Sequence, residues 1–194
     1  MECERKIRWM KNRGKLIVLS GPSGVGKGTV VKRILKECDD IALSVSATTR
    51  TPREEDTDGV TYSFKTRDEF EKMIKADEFL EWAKYNNNYY GTPKAAVEKL
   101  LNDGISVILE IEVKGAGSIK ERCPEALFIF IAPPSFETLR ERLTSRGSES
   151  KEEIENRVAL AKAEYDARDM YDFVVVNDII DNTVLEVKKI IEGK

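Results

Sequence analysis

At 194 residues, 41% of them hydrophobic, the chain is long enough for one domain with a sizeable core, with or without insertions. A formal charge of −3 with 35% charged residues excludes a dominant nucleic-acid surface, and the absence of histidine removes the commonest general base and metal ligand. Cys3, Cys38 and Cys123 show no C-x-x-C spacing, so neither a disulfide framework nor a zinc site is expected, and a reducing, cytoplasmic location fits.

In chain order, residues 1–13 are a basic segment without the apolar core of a signal peptide. No later run approaches the ~18 apolar residues of a membrane span, so no membrane association is expected. LIVLS (16–20) reads as a buried strand. GPSGVGKGT (21–29) follows, and then VVKRIL takes up helical spacing with Val30, Val31, Ile34 and Leu35 on one side. Gly21, Gly26 and Lys27 fit the phosphate-binding pattern G-x-x-x-x-G-K-[ST] in the strand–loop–helix context that it requires. A polyphosphate needs many donors at short range. Loop N–H groups supply them where no Cβ blocks the approach, and the helix N-terminus and the Lys27 ammonium add positive charge. The pattern breaks at its last position, where Gly28 stands in place of the hydroxyl residue and Thr29 carries the hydroxyl one residue later.

IALSVSA (41–47) reads as the next strand. Residues 46–91 are polar with interspersed aromatics and hold a short helix around DEFEKMIK and two short strands, VTYSF and EFLEWAKY, which together suggest an inserted mixed α/β lobe. A helix from Pro93 to Asp103 comes next, with Thr92 as N-cap and Gly104 as terminator. SVILEI (106–111), ALFIFIA (126–132) and DFVVVN (172–177) complete a set of five near-continuous apolar strands separated by helices. That is the pattern of a parallel sheet covered on both faces, a three-layer α/β sandwich whose ligands bind at the strands' carboxyl ends. Residues 140–157, RERLTSRGSESKEEIENR, are dense in charge, broken at Arg146-Gly147-Ser148 and reopened by the capping box Ser150-x-x-Glu153. They read as a mobile helical flap. The expected division is core at 14–45, 92–139 and 158–194, lobe at 46–91 and flap at 140–157.

SVSATTRTPR (44–53), DGVTYSF (58–64), EFLEWAKYNNNYYGT (78–92), LEIE (109–112), FIAPPS (130–135) and RLTSRG (142–147) follow the loop in this order. As a set they resemble the guanylate kinase family over roughly residues 14–194. The resemblance implies a phosphate-binding-loop (P-loop) fold with a core, a GMP-binding lobe and a lid, catalysing ATP + GMP ⇌ ADP + GDP with Mg²⁺, without an obligatory protein partner. It implies that Gly21, Pro22, Ser23, Gly24, Val25, Gly26, Lys27, Gly28 and Thr29 bind ATP. Arg50, Arg53, Tyr62 and Tyr90 match the contacts to the GMP phosphate, and Glu81, Ser46 and Thr92 match those to guanine, with Glu110 and Glu112 also on the GMP side. Lys27, Arg50, Arg146 and Arg157 match the catalytic cations, and Arg142 is a weaker candidate.

Elementary chemistry agrees with these types. Guanine offers two donors and one acceptor on one edge, so a carboxylate and hydroxyls complement it and leave adenine unmatched. The acceptor oxygen of GMP is already anionic, so transfer is positioning plus charge neutralisation and no histidine is required. Three departures stand out. Glu112 occupies a position where the family often has Asp. Val113-Lys114 replaces a pair that is commonly aromatic or Met followed by Gln. With Gly28 lacking a hydroxyl, Mg²⁺ is left to Thr29, Glu110, water or phosphate oxygens.

Taken singly, several residues have plainer readings. Tyr89 reads as a packing strand aromatic and Trp82 as core, Glu81 could be a strand residue facing water, and Arg142, Arg146 and Arg157 sit among enough Glu and Lys to form a salt-bridged solvent face. Two other functions share the motifs. One is a phosphopeptide-binding scaffold domain of the same fold, against which the intact loop argues. The other is a P-loop kinase with a different acceptor, which Glu81 would discriminate.

Overall fold

A computed structural model describes residues 13–145 and 150–193. Its strands are β1 (Leu16–Ser20), β2 (Ile41–Leu43), β3 (Ala47–Thr48), β4 (Ser63–Phe64), β5 (Phe79–Tyr85), β6 (Asn88–Pro93), β7 (Ser106–Glu110), β8 (Leu127–Ala132) and β9 (Phe173–Val176). Its helices are α1 (Lys27–Glu37), α2 (Arg67–Lys75), α3 (Lys94–Asn102), α4 (Val113–Arg122), α5 (Phe136–Ser145), α6 (Lys151–Tyr165), followed by a 3₁₀ turn (Asp166–Met170), and α7 (Ile180–Glu192).

Five strands form one sheet in the order β2-β7-β1-β8-β9, with β1, β8 and β9 in parallel register. Ile17, Val18 and Leu19 of β1, Val107 to Leu109 of β7 and Phe128 to Ile131 of β8 are all buried. Burial on both faces is why these strands read as continuous apolar runs rather than alternating ones. Four strands form a second, mixed sheet in the order β4-β3-β6-β5, parallel between β3 and β4 and antiparallel elsewhere. The α/β architecture with a five-stranded parallel sheet is therefore as expected.

Two compact units divide the chain. One holds the chain through Leu16 with Asp40–Val107, and the other holds Ile17–Asp39 with Ile108–Lys194. In the first, α2 is fixed by a reciprocal capping box between Thr66 and Glu69, and it buries Phe70 against Ala47 and Phe79. In the second, α5 and α6 close on a core of Leu139, Leu143, Ile154, Val158 and Ala161, and Ser150 caps α6 with Glu153 as expected.

Several local expectations are corrected. The single strand expected at 41–47 is two, because Ser44, Val45 and Ser46 pair in neither ladder and carry the chain from β2 in one sheet to β3 in the other. Of VTYSF only Ser63–Phe64 is strand. Thr61 turns back, its hydroxyl donating to the Thr57 carbonyl at 3.0 Å. The N-cap of α3 is Pro93 rather than Thr92, whose hydroxyl is spent elsewhere. Trp82 is 44% exposed, since β5 is the sheet's edge and the α2 cluster covers Phe79 and Tyr89 but not the indole. The strand that holds Tyr89, to which the sequence reading gave no bounds, is β6, and it returns antiparallel to β5 through Asn86 and Asn87, both at positive φ. Two such residues make the tight primed turn in which Asn is favoured.

Candidate active site

The loop between β1 and α1 is shaped by main chain. Gly21 has φ 143°, and any Cβ there would collide with the carbonyl of Ile131. Gly26 has φ 101° and hands the chain to α1, whose first N–H groups at Thr29 and Val30 return to its carbonyl at 3.1 and 3.2 Å. Only glycine meets both demands without strain. Lys27 folds back over this loop, its Nζ donating to the carbonyls of Gly21 at 2.6 Å and Pro22 at 3.1 Å.

Groups from distant parts of the chain hold the loop in place. Asn177, buried at the end of β9, donates through Nδ2 to the Val25 carbonyl at 2.7 Å, and the Thr183 hydroxyl lies 3.1 Å from its Oδ1. Arg142 donates to the Asn177 carbonyl at 3.0 Å and more weakly to that of Val25 at 3.4 Å. Arg157 reaches the Ser23 hydroxyl at 2.6 Å. Arg142 and Arg157 thus leave the solvated helix face that composition favours and meet the loop, while Arg146 lies outside the described residues.

Charge at this site is mixed in sign. Burial lowers the Lys27 pKa, and Glu110, Glu164 and Glu112 oppose that shift. Burial raises Glu110 and Glu164, against the pull of Lys27. Among the described residues, one oxygen of Glu164 is buried without a hydrogen-bond partner, and the hydroxyls of Ser20 and Tyr171 are buried with none beyond each other. Neither Asn177 nor Glu164 was singled out from the sequence. A polar residue closing the apolar run DFVVVN was the one available hint of the former, and Glu164 had none, sitting in a helix rich in Glu.

The second cluster lies in the other unit. Register places Glu81 opposite Thr92, Ala83 opposite Tyr90 and Thr48 opposite Tyr90, so Glu81, Tyr90 and Thr92 share one sheet face. Glu81 is only 9% exposed, and the Thr92 hydroxyl donates to its Oε1 at 2.7 Å. Tyr90 meets Tyr62 edge-on at 6.0 Å, and the Arg50 guanidinium stands over the Tyr62 ring at 5.3 Å. Tyr89 points to the opposite face and stacks on Phe70 at 5.3 Å, which makes it the packing aromatic that was expected.

Thr48 and Thr49 tie β3 to Tyr89, the Thr48 hydroxyl donating to its carbonyl and the Tyr89 N–H donating to Thr49 Oγ1, both at 2.9 Å. The Thr48 hydroxyl also accepts the N–H of Arg50 at 3.1 Å. Arg53 is exposed, and Ser46 is half-buried beside β4, its carbonyl accepting from Ser63. Glu110 and Glu112 belong to the loop's unit, beside Lys27. The structure therefore gathers Arg50, Tyr62, Glu81, Tyr90 and Thr92 in one unit, and the loop, Arg142, Arg157, Glu110 and Glu112 in the other.

Comparison with known proteins bears on both clusters. A family model described as guanylate kinase matches residues 13–194. A guanylate kinase of Bacillus subtilis (strain 168) is 54% identical over 183 residues, covering 94% of this chain and 90% of its own length. One from Caldanaerobacter subterraneus subsp. tengcongensis is 50% identical over 182 residues, covering 94% of this chain and 88% of that protein. The crystal structure of guanylate kinase from Anaplasma phagocytophilum matches with a TM-score of 0.74 at 33% identity, over 94% of this chain and 86% of that one.

Proposed function

The chain belongs to the guanylate kinase family, and on that premise we propose that it transfers the γ-phosphoryl group of ATP to GMP, giving ADP and GDP for purine nucleotide metabolism in the cytoplasm. The observation that carries the acceptor's identity is the buried Glu81–Thr92 pair on the sheet face it shares with Tyr90. A carboxylate that has lost most of its water needs donors, and the N1 and N2 groups of guanine supply two of them on one edge. The Ser46 hydroxyl donates to O6, and Thr92 turns its single hydroxyl proton from Glu81 to O6 as the guanine donors take its place on the carboxylate. Arg50, Arg53, Tyr62 and Tyr90 take the phosphate through cationic and phenolic donors.

On the ATP side, the N–H groups of residues 21–29 and the dipole of α1 hold the phosphates, and Lys27 turns from its own loop carbonyls to the outer phosphate oxygens. The triphosphate's negative charge favours the ammonium form that burial penalises. Arg157, already against Ser23, covers the transferring group together with Arg146, and residues 140–157 act as the lid. The lobe at 46–91 carries the acceptor. No side chain has to remove a proton, which fits a chain without histidine.

Mg²⁺ is carried in with ATP in this reading. Among the described residues no cluster of three or more acidic or sulfur ligands forms a metal centre. Such an ion keeps water and phosphate ligands and takes one or two protein oxygens. Glu110 fits, one of its oxygens lying 3.4 Å from where a side chain at residue 28 would begin. The absent hydroxyl of Gly28 leaves space that Glu110 overlooks, and Thr29 brings a hydroxyl one residue on. When bound, the ion neutralises charge on the phosphates and fixes their conformation.

An acceptor panel tests the whole reading. Purified protein with Mg-ATP and GMP, dGMP, AMP, CMP or UMP, followed by coupled detection of ADP, should show GMP preferred over AMP by about 10³-fold or more in kcat/KM. Equal rates on AMP, or ADP release that needs no acceptor, would sink it.

A further inference from the structure

One carboxylate stands among the groups assigned to the GMP phosphate. Asp56 Oδ2 accepts from Arg50 Nη2 at 2.8 Å and from the backbone N–H of Arg53 at 2.7 Å. The Asp56 N–H in turn donates to the Arg53 carbonyl at 3.1 Å, and Arg50 Nη1 donates to the Thr51 carbonyl at 3.0 Å. The Arg50 and Asp56 side chains are only 16% and 7% exposed, and the guanidinium is also bounded by the rings of Tyr62 and Phe64, at 5.3 and 5.9 Å.

An anion beside a phosphate site repels the ligand, so its presence calls for a compensating action. An unrestrained arginine samples many rotamers, and each binding event would have to freeze them. Asp56 has already done so, and it uses few of the guanidinium's five donors.

Resting on the GMP reading above, we propose that Asp56 is a positioning residue for the acceptor phosphate. By holding one edge of the Arg50 guanidinium and the Arg53 N–H on a single oxygen, it sets Arg50, and the point from which the Arg53 side chain departs, before GMP arrives. Affinity is gained through preorganisation. The recognised chemistry is the nucleotide's phosphate dianion, and guanine lies outside its reach because Glu81 and Thr92 serve that end.

Calorimetric titration with GMP and with guanosine separates the two ends. Asp56→Ala should weaken GMP by about 10- to 100-fold, the scale of a charge-assisted contact, and leave guanosine affinity and the KM for ATP unchanged. Asp56→Glu keeps the charge on a side chain one methylene longer and should recover most of the loss. Unaltered or tighter GMP binding in the alanine variant would overturn the proposal, making Asp56 a bystander or a competitor. A parallel loss of guanosine would also overturn it, since the lobe would have lost its fold rather than its phosphate grip. If the unaltered protein itself bound GMP no better than guanosine, the parent reading would fall instead.

Discussion

The phosphate loop and the lobe's sheet solve similar recognition problems with different parts of the polypeptide. The loop offers main chain: Gly21 and Gly26 open the backbone, and Asn177, Arg142 and Arg157 hold its shape from outside. The lobe offers side chains, with Glu81, Tyr90 and Thr92 aligned by strand register and Arg50 placed by Asp56. Their charges are balanced in opposite senses. One lysine faces Glu110, Glu164 and Glu112 at the loop, and one aspartate tempers Arg50 in the lobe. A site made of backbone tolerates changes that keep its shape, whereas one made of side chains depends on the identity of each.

The widest separation between the two should come from Lys27→Ala. Turnover should fall by at least about 10²-fold, because charge neutralisation on the transferring phosphates is removed, while GMP affinity by calorimetry stays within about twofold. Loss of GMP binding on the same scale would break the distinction between the sites.

Next in size is Glu81→Gln, which presents guanine with a donor where an acceptor is needed. It should cost about 3 to 5 kcal/mol in kcat/KM for GMP, a factor of roughly 10² to 10³, and far less for AMP. Equal losses on the two acceptors would make Glu81 a structural residue and leave the guanine site unassigned.

The smallest effect concerns pH. Burial raises the Tyr171 hydroxyl above its ordinary 10.0, so its contribution to stability is complete below that value and is lost as pH rises through the folded one. In the lobe, the Arg53 N–H and then the Arg50 guanidinium hold Asp56 below its ordinary 3.8, so its contribution is present above that value and lost as pH falls through the folded one. Tyr171→Phe should therefore flatten the alkaline fall in melting temperature and leave the acid side unchanged. An alkaline fall as steep as in the unaltered protein would show that burial does not act through this hydroxyl.

The same contrast explains what was legible in the sequence. The loop's demands fall on neighbouring residues, so Gly21, Gly26 and Lys27 could be read in one glance, together with the strand before and the helix after. The doubly buried strands were equally plain. The lobe's residues are scattered from 46 to 92 and converge only through β3, β5 and β6, and β6 was left without bounds although Asn86-Asn87 announced its turn. For that cluster the ordered family motifs did what local pattern could not. Asp56, Asn177 and Glu164 stayed hidden because each acts through a neighbour distant or ambiguous in sequence. Thr92 was misjudged as a helix cap for a related reason, since a partner across a strand outbid the adjacent helix for its hydroxyl.

The hydrogen bond from Asn177 to Val25 joins residues 152 apart in sequence. Closing it brings the loop after β1 to the residue that follows β9, a contact of high sequence separation of the kind that forms late in folding. A chain truncated before β9 would carry the complete phosphate-binding motif without the Asn177 and Thr183 brace, leaving the Val25 carbonyl to the weaker bond from Arg142. The shape of a motif legible in nine consecutive residues therefore depends on a segment to which those residues give no clue.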